Sequence, residues 1–185
     1  MLARKGESSV MSITTKRGDE GTTDLLFGGK SSKTASQVEA LGEVDELNAV
    51  LGLARVAMDG EAAEVIDQIQ KWLVTLMGEL AMSEGKDEAY EKAGFGRITE
   101  KEIEWVENLS GGIEGDRKFE GWLRPGETGG ELAARLHLAR TVARRAERSA
   151  WKVSEKVATR ELRIFLNRLS DAFWLIARKS EEALG

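Results

Sequence analysis

Arg140, Arg144 and Arg148 stand four residues apart, which on a helix stacks three guanidinium groups along one face. Like charges so placed repel one another, and Glu147 is the only acid close to them in the run Arg140-Thr141-Val142-Ala143-Arg144-Arg145-Ala146-Glu147-Arg148. Such a row suits an acidic partner helix or a polyphosphate, whose oxygens guanidinium forks grip in pairs. A solvated helix face is the plainer reading of the same run. A second cationic segment lies near the start of the chain, Thr15-Lys16-Arg17-Gly18-Asp19-Glu20-Gly21-Thr22-Thr23, followed by Lys33. Its glycines allow tight turns that aim backbone N–H groups at a ligand, its threonines add hydroxyls, and Lys16 and Lys33 add positive charge. A triphosphate fits that inventory. The spacing of a Walker A loop is absent, however, and an ordinary surface turn before a helix has the same composition.

Two further segments set polar groups into apolar helices. Asn167, Ser170, Asp171 and Trp174 fall at i, i+3, i+4 and i+7, a polar ridge beside an apolar stripe. Asparagine is a poor mid-helix residue, so Asn167 has a hydrogen-bonding task, either toward a ligand or in specifying how the bundle packs. Asp45-Glu46-Leu47-Asn48 offers an anionic partner for one of the arginines, or plain helix surface. His137, one turn before Arg140, reads as a satisfied structural residue rather than a phosphate ligand. Trp72, Trp105, Trp122, Trp151 and Trp174 read as core aromatics rather than a cofactor box.

Composition narrows the chemistry. With no cysteine there is no disulfide framework, thiolate metal site or cysteine nucleophile, and a reducing cytoplasm is the expected setting. A single histidine excludes His-rich metal clusters and the paired Glu-x-x-His motifs of di-metal bundles. A formal net charge of -5 gives no overall attraction to nucleic acid or anionic membrane, and no apolar run approaches a bilayer span. At 185 residues, with 41% hydrophobic and 32% charged side chains, the chain suits one globular domain built of amphipathic helices.

The elements that must carry these residues follow from apolar periodicity. Residues 1–13 are polar and aperiodic, a mobile tail, and 14–34 form a Gly/Thr/Lys loop. Ser36 with Glu39 offers a capping box for a helix over 36–58, and Ile66, Ile69, Leu73, Leu76 and Leu80 mark a second. The stretch 83–97 reads as a loop. Thr99 with Glu102 caps a short helix that should stop near Gly111-Gly112, followed by a long loop containing the only proline, Pro125. Two long helices, 131–156 and 158–182, close a chain of five helices with no convincing strand, an all-α bundle.

The four segments, in this order, resemble the PduO-type ATP:cob(I)alamin adenosyltransferase family, whose patterns are approximately T-x-x-G-D-x-G-x-T/S, V-D-E-L, R-x-x-x-R-R-A-E-R and L-N-R-L-S-D. The likeness covers residues 14–178. It implies a single five-helix domain over 14–185 that assembles as a homotrimer, with ATP and cobalamin meeting between neighbouring subunits. Thr15, Lys16, Arg17, Gly18, Thr23 and Lys33 would line ATP in the 14–34 loop. Arg144, Arg145, Glu147 and Arg148 would hold its polyphosphate and Mg²⁺, with Asn167 nearby. Asp45 would pair with Arg140 across the subunit boundary. Where the family has F-x-x-P-G-G, with a phenylalanine pressing on the corrin ring, this chain has Trp122-Leu123-Arg124-Pro125-Gly126-Glu127, so Trp122 would take that place. The stretch from Pro125 to Arg140 is also slightly longer than the family pattern.

The implied reaction needs no base from the protein, because cob(I)alamin is itself a strong nucleophile; positioning and leaving-group electrostatics would suffice. A separate reductase would supply the electron, and an adenosylcobalamin-dependent enzyme would use the product. Two rivals stand beside this reading. One is a non-catalytic ATP or cobalamin carrier with the same bundle. The other is a nucleic-acid module using the arginine row, which the acidic net charge and the lack of interleaved aromatics disfavour.

Overall fold

The computed structural model describes residues 14, 16–119 and 124–184. The chain enters through a small antiparallel hairpin, β1 (Thr22–Asp24) and β2 (Lys30–Ser32), with Thr22 opposite Ser32 and Asp24 opposite Lys30. Six helices follow: α1 (Ser36–Arg55), α2 (Gly60–Ala81), α3 (Asp87–Lys92), α4 (Glu100–Glu114), α5 (Gly130–Ala150) and α6 (Arg160–Leu184). The five-helix, strand-free expectation is therefore corrected. The additional helix is the six-residue α3, and the strands are three residues each, too short to leave a periodic signal.

The helices pack in the order α2–α1–α5–α6–α4, and Trp72 of α2 meets Trp105 of α4 at 4.8 Å and Phe165 of α6 at 6.0 Å, both edge-on. One core runs through them, built from residues such as Val44, Leu47, Leu51, Leu73, Leu76, Leu136, Leu162, Phe165 and Phe173. Ala139, Val142, Ala143 and Ala146 bury the inner face of α5, and these small side chains let α1 and α6 approach it closely.

Thr99 forms the expected capping box with Glu102, whose Oε2 accepts from the Thr99 backbone N–H at 2.8 Å. The box expected at Ser36 and Glu39 does not form. Ala35 is the N-cap, and Glu39 turns outward to Lys152, just past the end of α5, at 3.4 Å. Nor does α4 stop at its glycines. It runs to Glu114 because Ile113 buries itself beyond them, outweighing a propensity cost of about 1 kcal/mol per glycine. α5 ends at Ala150, short of 156, where Val153, Val157 and Ala158 fold back into the core.

Candidate functional site

The hairpin and its flanks form the first part of the site. Lys33 donates its backbone N–H to Gly21 O at 2.9 Å, and its ammonium lies so close above Gly18 that a Cβ there would sit 2.9 Å from Nζ. Glycine at 18 leaves room for the lysine to rest over the loop; a Cβ there would displace only the flexible end of its side chain. Lys16, at φ 59°, and Asp19 close the turn before it, and Thr23 pairs with Ser31 inside the ladder. Arg17 makes a long, exposed contact of 3.9 Å with Asp24. Thr15 lies outside the described residues, as do the 1–13 tail and Trp122.

The hairpin is tied to the C-terminal end of α2. Leu26 pairs with Met82, donating to Ala81 O at 2.8 Å, while Ser83 Oγ donates to Leu26 O at 2.9 Å. Gln37, in the first turn of α1, donates to the carbonyls of Leu80 and Met82 at 2.7 and 2.8 Å. These bonds satisfy carbonyls that the end of α2 would otherwise leave open.

α5 supplies the second part. It runs antiparallel to α1, pinned by Lys152 to Glu39, by Arg145 to both Glu43 and Glu46, and by Arg135 to Leu53 O. Its C-terminal turns therefore lie beside the start of α1, at the end of the bundle where the hairpin sits. Arg140, Arg144 and Arg148 make no ion pair among the described residues, although Arg145 between them makes two. Arg144 and Arg148 are exposed; Arg140 is half-buried with its Nε buried and unpartnered. Lys16 and Lys33 likewise have no carboxylate partner among the described residues. Unpaired cations collected at one end of an acidic protein are the electrostatic form of an anion site. Glu147 hydrogen-bonds the Trp151 indole at 3.2 Å.

Other expected members are not joined to this cluster. Asp45 is exposed on α1, correcting its expected place among apolar neighbours, and does not meet Arg140 within the chain. Asn167 accepts from Arg168 Nη1 at 2.9 Å, and Arg168 reaches Glu107 of α4 at 2.6 Å. That places the Asn167 side chain on the α4 side of α6, beside a polar cleft of about 440 Å³ that Arg168 and Asp171 help to line. His137 is buried with Nε2 3.0 Å from Glu181, but its Nδ1 is buried without a hydrogen-bond partner, so the satisfied histidine expected from the sequence is only half satisfied.

Glu79, not singled out by sequence reasoning, is fully buried near the hairpin anchor. Its Oε1 accepts from Ile98 N–H at 2.7 Å, and Arg97 lies 3.7 Å from Oε2. Burial pushes its carboxyl up to about 7, against the opposing pull of the Ile98 N–H and Arg97. A signal existed: Trp72, Leu76 and Glu79 fall at i, i+4 and i+7, which puts a carboxylate on an apolar row. Among the described residues no group of three or more carboxylates and histidines is placed to hold a metal. A magnesium ion keeps several waters and is held through substrate phosphates with one or two carboxylates, so these residues fit one carried by a bound polyphosphate.

Fold and charge together define a helical bundle that gathers unpaired cations, beside a glycine-bearing hairpin, at one end. Residues 13–180 match the cobalamin adenosyltransferase family model, and the chain belongs to that family. The corrinoid adenosyltransferase of Bacillus subtilis is 36% identical, over 91% of this chain and 86% of the relative. Corrinoid adenosyltransferase PduO of Citrobacter freundii is 38% identical over 92% of this chain, which spans 50% of that relative's length. A variant of the PduO-type ATP:corrinoid adenosyltransferase of Lactobacillus reuteri, complexed with cobalamin and ATP, matches at TM-score 0.77. The two are 31% identical, over 92% of this chain and 91% of that one. A second variant of the Lactobacillus enzyme, complexed with ATP, matches at TM-score 0.78 with 29% identity over 92% and 94%.

Proposed function

We propose that this protein transfers the 5′-deoxyadenosyl group of ATP to the cobalt of cob(I)alamin, giving adenosylcobalamin and triphosphate. The observation that carries the reading is the unpaired row Arg140, Arg144 and Arg148, which runs from the middle of α5 toward the end of the bundle where Lys33 folds over Gly18. In this reaction cobalt attacks C5′, the Co–C bond forms as the C5′–O bond breaks, and the electron pair leaves on the triphosphate. Lys16, Arg17, Gly18, Thr23 and Lys33 hold the phosphates from the hairpin side. Arg144, Arg148 and the neighbouring Arg145 take up the charge that grows on the leaving oxygens. Mg²⁺ arrives on ATP, and Glu147 is the carboxylate placed nearest in sequence to receive it. No protein base is required.

The protein works as a homotrimer. The described residues flanking Trp122, Phe119 and Arg124, precede the N-terminus of α5, whereas Arg148 lies near its C-terminus, roughly 27 Å along the helix. One chain therefore keeps its cation cluster and its corrin-facing segment at opposite ends, and a neighbour must bring them together. Supporting this, Leu53 of α1 and Leu138 of α5 expose apolar side chains at 51% and 48%, on the same two helices as Asp45 and Arg144, and Val56, just past α1, is exposed at 80%. Near the start of α5, an apolar cavity of about 460 Å³ lined by Met58, Val65, Leu109, Ile113, Leu132 and Ile176 suits the corrin side. Asp45 then meets Arg140 of a neighbour, so Asp45→Arg and Arg140→Asp should each weaken assembly, and the double reversal should restore it. Light scattering on the purified variants checks this; a double variant no better than the singles rejects the pairing.

Cob(I)alamin must come from a separate reductase, and an adenosylcobalamin-dependent enzyme takes the product. Among the described residues no helix is long and apolar enough to cross a membrane, in keeping with a cytoplasmic setting. The experiment is anaerobic: protein, chemically reduced cobalamin, Mg²⁺ and ATP, followed by absorbance. Replacement of the cob(I)alamin spectrum by that of a light-sensitive alkylcobalamin establishes transfer. ATP binding without that change establishes the carrier instead and directs attention to Trp122→Phe.

A further inference from the structure

Phe27 holds its backbone in the left-handed region, φ 65°, although Gly28 and Gly29 follow it and could have taken that conformation instead. For a bulky aromatic such a backbone is strained, and strain of this kind persists only where the surroundings enforce it. What enforces it is a seat. The Phe27 ring meets Tyr90 and Phe95 edge-on, with centroids 6.2 and 6.1 Å away, and those two rings stack on each other at 5.0 Å. Beneath them Tyr90 Oη donates to Gly96 O at 3.0 Å, and the Arg97 guanidinium lies 5.1 Å from the Tyr90 ring centre. Arg97 also reaches Asp87 at 2.8 Å and buried Glu79 at 3.7 Å, while Glu79 accepts from Ile98 N–H.

Phe27 lies in the turn between β1 and β2, and the Gly18–Lys33 crossing lies at the open end of the same ladder, with Lys33 six residues along the chain from Phe27. Six strand residues span at most about 20 Å. A hairpin so short and so firmly seated at its turn transmits the position of Phe27 to the phosphate end with little slack.

We propose that Phe27 is a positioning residue for the nucleoside triphosphate, and that Glu79 acts through Arg97, Ile98 and Tyr90 to keep its seat closed. The inference rests on the reading of residues 16–33 as the ATP loop. It also implies pH dependence. Glu79 faces Ile98 N–H and Arg97 from the segment before α4 and Tyr90 from α3; Glu102 of α4 and Glu161 of α6 press on it electrostatically, and Asp87 of α3 competes for Arg97. Its carboxyl rises from 4.5 to about 7 on burial, so the closed seat binds the proton more tightly than any opened form does. Stability of the closed form is fully present below the ordinary carboxylate value and is lost as pH climbs through about 7. ATP affinity should fall over the same interval.

The test is calorimetric titration of the full chain with Mg·ATP, without cobalamin, alongside transfer kinetics in which ATP and cob(I)alamin are varied in turn. Phe27→Gly relieves the backbone strain but deletes the ring; it should weaken ATP binding about tenfold, the scale of two aromatic contacts, and move KM for cob(I)alamin less than about twofold. Phe27→Tyr should bind ATP like the parent. Phe27→Leu, which keeps apolar bulk should the glycine variant not fold, should fall between. Glu79→Gln should flatten the decline in ATP affinity between about pH 5 and 7. Unchanged ATP affinity in Phe27→Gly or Phe27→Leu, or equal rises in both KM values, overturns the role of Phe27, and an intact decline in Glu79→Gln overturns that of Glu79. A parent protein that binds no Mg·ATP overturns the functional reading itself.

Discussion

Arg144→Ala is expected to slow adenosyl transfer by roughly 10²–10³-fold, the scale seen when one preorganised donor to a developing anion is removed. The size follows from what Arg144 does not do. It is exposed and makes no ion pair or hydrogen bond among the described residues, so its loss should change stability by no more than about 0.5 kcal/mol. Arg145→Ala is a different experiment, because it also frees Glu43 and Glu46 on α1, whose carboxylates hold that guanidinium firmly charged. Single-turnover kinetics under saturating ATP separates the two: Arg144→Ala should lower the rate constant itself, and Arg144→Lys, which keeps charge but not the fork, should recover part of it. A parent-like rate in Arg144→Ala would remove the row from the mechanism.

Phe165→Ala should cost about 3–5 kcal/mol of stability with little effect on ligand affinity in the protein that remains folded. Phe165 is fully buried on α6 and receives the edge of Trp72 at 6.0 Å, while Trp72 in turn meets Trp105 at 4.8 Å. These rings join α2, α4 and α6 at one point, so the vacated space cannot be filled by a shift of any single helix. Chemical denaturation should show the midpoint falling with an unchanged slope, and a loss below about 1 kcal/mol would mean that the neighbours collapse into the gap.

Much of the bundle could be read from the chain because long apolar stripes admit few alternatives. The Thr99 box was legible since both partners are local, whereas the 14–34 segment, read as a loop, folds into a hairpin whose strands of three residues are too short to leave a pattern. What could not be read depends on distant partners. Glu39 had a local role available and took a tertiary one with Lys152 instead. Arg145 looked equivalent to Arg144 and Arg148 until α1 brought Glu43 and Glu46 beneath it. α3 is one and a half turns held by the burial of Tyr90, with nothing periodic to announce it. Glu79 sat on an apolar row, but a row alone does not reveal that the segment after it returns to cover the carboxylate. The pairing of Asp45 with Arg140 came from family resemblance, and a single chain leaves both groups apart.

A protomer that keeps its phosphate-gripping hairpin and its α5 entry segment at opposite poles invites rescue between defective copies. On the proposed homotrimeric arrangement, a cell carrying one gene copy broken at Lys33 and another broken at Trp122 should regain activity that neither copy yields alone, because that arrangement gives mixed assemblies in which an intact hairpin faces an intact entry segment. Damage to Phe165 should show no such rescue, since a chain that cannot hold its own core has no sound half to lend.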